Sequence, residues 1–288
     1  MDRLIEIANR NYVVRGLFLK TARIAEEWFH DVPNPERSVE QLNKETSRID
    51  LFSFWQRLPD VEPKYTYYME RESVAALPIT DYDHWWANQV NSKTRNLIRK
   101  AEKKGVEIRL ARFDDHFVEG MTELFNESKY RQGKRFWHYG KDEETIRREF
   151  SRNLFREDLI GAYYKEELIG FVFLAHAGPF AEFGAIISKF AHRDKSPTNA
   201  LMAKAVELCA SKNIPYLTYG YWQTGSRLND FKRHNGFCRV ELPRYFIPLT
   251  QVGKMALKMK AHHSPLTRLP PGLTRRLVNL RTKLNRFR

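Results

Sequence analysis

Residues 168–187, LIGFVFLAHAGPFAEFGAII, form the longest apolar stretch of the chain. Its length alone would permit a membrane span. His176, Pro179 and Glu182 interrupt it, however, and Gly178-Pro179 is a turn signal. The pattern therefore predicts two buried strands, Leu168–Ala175 and Phe180–Ile187, joined by a hairpin. Leu159–Tyr164 is a third strand, joined through Lys165-Glu166-Glu167, which completes an antiparallel meander. A helix follows. Ser196 has N-cap chemistry, Pro197 sits at the first helical position, Leu201, Ala205 and Leu208 recur at helical spacing, and Asn213 ends the run. Ile214–Tyr221 reads as the next strand. Gly225-Ser226 opens a short helix with Leu228 and Phe231, Asn235-Gly236 closes it, and Phe237–Pro248 is the last strand.

Upstream, Asp83–Lys104 reads as one helix. Trp86, Val90, Leu97 and Ala101 share a face, Lys93, Arg95, Arg99, Lys100, Lys103 and Lys104 lie mostly elsewhere, and Gly105 is the stop. Val106–Arg112 is a strand. Asp114 caps a helix with Phe117, Met121, Leu124 and Phe125 as its buried stripe, and Phe113 and Val118 have the spacing of a hydrophobic staple. The polar stretch Tyr130–Lys141 precedes a helix at Asp142–Phe155. Residues 1–80 mix helical and strand signals. The expected division is a helical N-terminal extension over 1–84, a domain over 85–250 and a basic helical tail over 251–288. From 106 to 248 the order β-α-α-β-β-β-α-β-α-β predicts an α/β (α+β) fold, a mixed and mainly antiparallel sheet flanked by helices. The Rossmann glycine fingerprint and the nucleotide-binding P-loop are absent.

Composition narrows the class. In 288 residues, 42% are hydrophobic and 13% aromatic, too apolar for a disordered chain. Cys209 and Cys238 are the only cysteines, which excludes a disulfide scaffold and a cysteine-built zinc site and fits a reducing compartment. Asp2, Glu6, Arg10 and Arg15 break up the start, so no secretory leader is expected. The net charge is +14, but residues 251–288 hold ten Lys/Arg and no acid, leaving +4 for the first 250. The basic character belongs to the tail, which points to an anionic partner: RNA, a membrane surface or a phosphorylated ligand. Val252, Met255, Ala256 and Met259 make one apolar stripe in that tail. Beyond Pro265, Pro270 and Pro271, a second consists of Leu273, Leu277, Leu280, Leu284 and Phe287, with Arg275, Arg276, Arg281 and Arg286 largely off it. Such a helix can dock on the body or lie in an anionic membrane interface, and tRNA would use the same arginines. The expected location is cytoplasmic, or peripheral at the inner face of the membrane.

The element order resembles the GNAT N-acyltransferase fold, in which a meander leads into a phosphate-binding loop and helix. That family's loop reads Gln/Arg-x-x-Gly-x-Gly/Ala. Here the aligned stretch is Lys195-Ser196-Pro197-Thr198-Asn199-Ala200, with Lys195 for the Gln/Arg, Ala200 at the last position and Thr198 replacing the first glycine. A helix N-terminus suits a phosphate, but without that glycine the backbone cradle is weakened; an ordinary capped helix explains Ser196 and Pro197 as well. Three more stretches resemble the FemAB-like branch, the peptidyl and aminoacyl transferases. They are the basic run Ser92–Val106, Tyr216-Leu217-Thr218-Tyr219-Gly220 at a strand end, and Phe231-Lys232-Arg233-His234-Asn235-Gly236-Phe237. Tyr219-Gly220-Tyr221-Trp222 also resembles the aminoacyl-tRNA–protein transferases. The resemblance covers roughly 85–248, and residues 1–84 are expected to be a reduced first copy of the domain.

The resemblance implies transfer of an acyl or aminoacyl group from acyl-CoA or aminoacyl-tRNA to an amine by direct attack, since no Ser-His-Asp order is visible. Lys232 is then the cation that holds the acyl group or its oxyanion, against the alternative of a solvated helix lysine. Tyr219 and Tyr221 are candidate proton donors, or structural tyrosines. Glu182, mid-strand in an apolar run, is a base if it points inward and inert if it points to solvent. The donor is assigned to Ser188, Lys195, Ser196, Thr198, Asn199, Ala200 and Phe231, with Arg99 or Lys100 as a further phosphate contact. The acceptor is assigned to Arg131, Trp137, His138 and Tyr139 in the polar-aromatic stretch RQGKRFWHY, which otherwise reads as a surface loop. No metal is expected, because His138 has no second His or acid at ligand spacing. Cys209 reads as packing. The competing class is an inactive binding module on the same fold, docking to membrane or RNA through its tail.

Overall fold

The computed structural model describes residues 3–7, 10–45, 47–131, 133–223 and 227–263. The opening of the short helix at Gly225-Ser226 and the second leucine stripe of the tail lie outside the described residues. The chain forms two compact units that interleave along the sequence. One comprises Met1–Gln56, Pro63–Glu70 and Pro243–Arg288; the other comprises Arg57–Glu62 and Arg71–Leu242.

In the first unit the strands lie in the order Arg3–Ile7, Arg10–Arg15, Thr21–Ile24, Leu51–Trp55 and the second half of Cys238–Pro248. The pairing is antiparallel except between Thr21–Ile24 and Leu51–Trp55. The expected helical character of residues 1–84 is confined in this unit to Pro35–Asn43, capped by the Asn34 side chain. Short alternating strands such as Arg10–Arg15, with Tyr12 and Val14 turned inward, replace the rest. Tyr12, Phe52, Phe54 and Tyr245 form its aromatic core.

In the second unit the order is Tyr68–Pro78 (from residue 71), Tyr216–Tyr221, Phe180–Ser188, Glu167–Ala177, Glu157–Tyr164 and Glu107–Ala111. Neighbouring strands pair antiparallel except Phe180–Ser188 with Tyr216–Tyr221, so the mixed, mainly antiparallel sheet and its meander are as expected. The helix Pro197–Ser211 covers one face with Leu201, Ala205, Val206 and Cys209. The helix Asp115–Asn126 covers the other with Phe117, Met121, Leu124 and Phe125, and Asp114 caps it by accepting from the Phe117 N–H at 3.0 Å. Glu167–Ala177 is thus buried on both sides, which is why its sequence is continuously apolar instead of alternating. Among the described residues, no helix is long and apolar enough to cross a membrane.

Three local readings are corrected. The single helix expected over Asp83–Lys104 is broken. Tyr82–His84 runs into a wide turn, Trp85–Gln89, in which the Val90 N–H donates to Trp85 O at 3.1 Å; Val90 itself is extended. Asn91 restarts the chain as the N-cap of Ser92–Lys103, accepting from the Thr94 N–H at 2.7 Å. An asparagine side chain that competes for a backbone N–H is what splits the pattern. Ser196 is not a side-chain cap: it adopts a left-handed conformation (φ 57°) with no hydrogen bond from its hydroxyl to the helix. Finally, the helix expected to reach Phe155 ends at Phe150.

Candidate active site

The parallel pairing of Phe180–Ser188 with Tyr216–Tyr221 consists of three rungs and ends at Glu182 opposite Thr218. Just past that rung, Tyr216–Tyr221 carries an extra residue relative to its antiparallel neighbour: Thr218 faces Ala76, but Tyr221 faces Val74. Such a bulge re-aims side chains and is common beside active sites. Gly220 takes a positive φ of 56° within it, and its N–H donates to Glu182 Oε1 at 2.9 Å. The Thr218 hydroxyl donates to the other carboxylate oxygen. A cleft of about 230 Å³ opens here, lined by Glu182, Phe183, Tyr219, Gly220, Tyr221, Gln223, Leu228, Asn229 and Lys232.

Lys232 comes to this cleft from the helix Arg227–His234 and is only 2% exposed, so it is not a solvated helix lysine. Its Nζ donates to Tyr221 O at 2.8 Å and lies 4.9 Å from the centre of the Tyr219 ring. Burial pulls its pKa down, and the Glu182 carboxylate opposes that shift. Glu182 points inward and is buried. Desolvation outweighs its hydrogen bonds and the nearby Arg57 and Lys232 charges, pushing its pKa up to about 7. Burial, together with the Glu182 charge, pushes the Tyr219 phenol up to about 12, so it stays protonated at neutral pH. The ring of Tyr221 is more exposed, and it is its backbone oxygen that engages Lys232. Phe231 packs against the core beside Tyr219.

The helix that carries Lys232 is anchored by Trp85 and Asn91, not singled out in the sequence, and by Gly236, expected there to close it. Trp85 is fully buried, and its indole N–H donates to Asn235 O at 2.9 Å. The Asn91 N–H donates to His234 O at 3.1 Å. Gly236 turns the chain at φ 90°, where a Cβ would meet Gln89 Cβ at 2.9 Å. Asn229, one helical turn before Lys232, was also missed. Its Nδ2 donates to Gln223 O, and its Oδ1, an acceptor, is buried and has no partner among the described residues. The spacing of Asn229 and Lys232 on one helical face was the available signal.

None of the residues assigned to the donor lines this cleft; Phe231 shares the helix of Lys232 but packs against the core. The Ser188 and Thr198 hydroxyls share a hydrogen bond of 2.8 Å, and Lys195 turns to Asp194 and the face of Tyr164. Asn199 gives its N–H to Ser196 O at 3.1 Å, Pro197 has none, and Ala200 is buried in the core. The backbone just before is also committed: Glu127 accepts from the N–H groups of Phe190 and Ala191 at 2.7 and 2.8 Å. Lys189 is held at 2.7 Å by both Glu123 and Glu167. On the basic helix, Arg99 lies over the Trp86 ring, while Lys100 is exposed.

The expected acceptor pocket is not assembled either. Arg131 is packed between the rings of Phe136 and Phe190 at 4.5 and 4.4 Å and donates to Ser188 O at 2.8 Å and Leu124 O at 3.2 Å. His138 stacks on Phe125 with 4.4 Å between ring centres, and burial, aided by Lys141, lowers its pKa to about 4. Trp137 is 78% exposed and Tyr139 is at the surface, and neither lines the cleft. Cys209 is buried packing, its thiol pushed up to about 12 by burial.

No protein-family profile and no curated protein sequence matches the chain. Solved structures do. FemX superposes with a TM-score of 0.58 at 11% identity, covering 84% of this chain and 87% of FemX. L-PGS from Bacillus licheniformis gives 0.57 at 12% identity, covering 90% and 86%. The C-terminal domain of a putative lysylphosphatidylglycerol synthetase from Agrobacterium fabrum gives 0.57 at 10%, covering 89% and 87%. The chain therefore shares the fold of these three structures, FemX among them, as the resemblance implied.

Proposed function

We propose that this protein is an aminoacyltransferase that moves an aminoacyl group from aminoacyl-tRNA to an amine at the Lys232–Tyr219–Glu182 cleft. The observation that carries this reading is the burial of a lysine ammonium and a carboxylate with a pKa near 7 around one small opening where the neighbouring strands Phe180–Ser188 and Tyr216–Tyr221 stop pairing. Ionisable groups with environments that push their pKa values off the ordinary range mark acid–base chemistry. The cleft volume lies below the ~300–1,000 Å³ of whole-ligand pockets, so it suits an acyl end whose carrier stays outside.

In the reaction, the acceptor nitrogen attacks the ester carbonyl carbon, a C–N bond forms, and the carbonyl π pair becomes an oxyanion. The Lys232 ammonium stabilises that charge with the N–H bonds not committed to Tyr221 O. Glu182 takes the proton lost by the nitrogen. The C–O bond to the carrier then breaks, and the leaving oxygen takes a proton from the Tyr219 phenol, which Glu182 restores. Asn229 Oδ1, an acceptor with no partner among the described residues, receives the α-ammonium of the aminoacyl group.

The choice of aminoacyl-tRNA over acyl-CoA rests on the loop before Pro197–Ser211. A diphosphate needs free backbone N–H groups and uncompensated positive charge. Here Phe190 and Ala191 give their N–H groups to Glu127, Lys189 is neutralised by Glu123 and Glu167, and Lys195 by Asp194. Four carboxylates, Glu123, Glu127, Glu167 and Asp194, oppose an anion at this loop. The FemAB-like motifs favour the same donor class, as does the lysyl product in the name of one structural neighbour, a putative lysylphosphatidylglycerol synthetase. Calorimetric titration tests the choice. A non-hydrolysable aminoacyl-tRNA analogue is expected to bind and acetyl-CoA not to bind. Binding of acetyl-CoA alone would reverse the assignment.

A further inference from the structure

Outside the cleft, the first unit gathers a second cluster of chemically capable side chains. Glu70 lies on the strand Tyr68–Pro78, and His262 and His263 follow the helix Gln251–Lys258. His262 Nε2 lies 2.9 Å and His263 Nε2 3.0 Å from the same oxygen, Glu70 Oε1. The Tyr68 hydroxyl lies 2.8 Å from that oxygen as well. The imidazole rings are 4.2 Å apart, and His262 is wedged against Phe246 and Tyr68 with its side chain 1% exposed.

As a hydrogen-bond cluster this arrangement is poor. A carboxylate oxygen has about two lone-pair sites, and three donors converge on one. The Nδ1 of His262 is buried and has no partner among the described residues. A cation at the focus removes the conflict: the two Nε2 atoms then present lone pairs instead of protons, and the carboxylate balances the charge. The three ligand atoms all lie within 4.8 Å of one another, and the observed 2.9 and 3.0 Å separations are a few tenths short of the roughly 3.3 Å edge of a tetrahedral zinc site.

We propose that Glu70, His262 and His263 bind a divalent transition-metal ion, zinc by ligand type, with the fourth position taken by Tyr68 or water. Two imidazoles and one carboxylate suit borderline cations and not magnesium or calcium. Bound there, the ion ties the end of Gln251–Lys258 to the strand at Glu70, immediately before the basic segment that begins at residue 264. The site escaped the sequence reading because 192 positions separate Glu70 from His262.

The test uses the full chain stripped with a chelator and titrated with zinc chloride, followed by calorimetry and by melting. Wild type is expected to take up a single ion and to melt higher as zinc is added. His263→Ala, at the more exposed ligand, is expected to melt like the stripped wild type and to lose both the uptake and the zinc-dependent shift; Glu70→Gln is expected to weaken uptake. No zinc-dependent shift in wild type, or uptake unchanged in His263→Ala, overturns the proposal.

Discussion

The ammonium of Lys232 stands 4.9 Å from the centre of the Tyr219 ring, held there by its hydrogen bond to Tyr221 O. One contact keeps the cation over an aromatic face and leaves its other N–H bonds directed at whatever enters the cleft. Replacing Lys232 by Met, which preserves the buried volume, is expected to lower turnover by at least ~100-fold, the cost of losing one oxyanion-stabilising group. Ala at this position would add a cavity and blur that measurement with lost stability. Single-turnover rates beside melting curves separate the two effects.

Glu182 makes a pH signature. Its carboxyl ionises near 4.5 in an unfolded chain and near 7 when folded. Between those values the folded state holds a proton that the unfolded state has released, so stability falls as pH rises from about 4.5 to about 7 and is level above. Denaturant titrations across this range are expected to show that slope in wild type and a flatter line in Glu182→Gln. Turnover in wild type is expected to rise through about pH 7, as the base form appears, and the rising limb should vanish in the variant.

Trp85 acts on the site through the helix of Lys232. Trp85→Phe keeps most of the buried ring but strands Asn235 O, at a cost of about 1–3 kcal/mol. The expected result is a lower melting temperature and a reduced kcat. Rescue of kcat at low temperature, where the helix is held without the bond, would confirm positioning as the role.

Much of the second unit was legible because its strands are buried on both faces and its helices carry strong caps: the meander, Asp114 and the Pro197 start needed no tertiary information. The broken helix at Val90 was not legible, since Asn91 carries the same residue type whether it caps a new turn or sits exposed in an old one. Glu182, singled out as a carboxylate in an apolar run, Tyr219, by its strand-end position, and Lys232, by motif, line one cleft. The acceptor assignment of Arg131 and His138 was not met, because a polar-aromatic loop looks the same in sequence whether its rings greet a ligand or, as here, stack on Phe125 and Phe190. Residues 1–55 were obscure because their strands, of four to six residues, carry too few positions for a period to emerge.

Arg131 is accordingly a structural residue. Arg131→Ala removes hydrogen bonds to Ser188 O and Leu124 O and two ring contacts, for an expected loss of about 2 kcal/mol. At a temperature where the variant stays folded, its turnover is expected to lie within a few-fold of wild type. A 100-fold loss there would return Arg131 to the acceptor site.

The most direct test of the account is transfer itself. Wild type and Lys232→Met are incubated with radiolabelled aminoacyl-tRNA or labelled acetyl-CoA and a panel of amines, and amide product is counted. The account expects product from aminoacyl-tRNA with wild type, little from acetyl-CoA, and a loss of at least ~100-fold in the variant. Equal transfer by the two proteins, or product from acetyl-CoA alone, would contradict it.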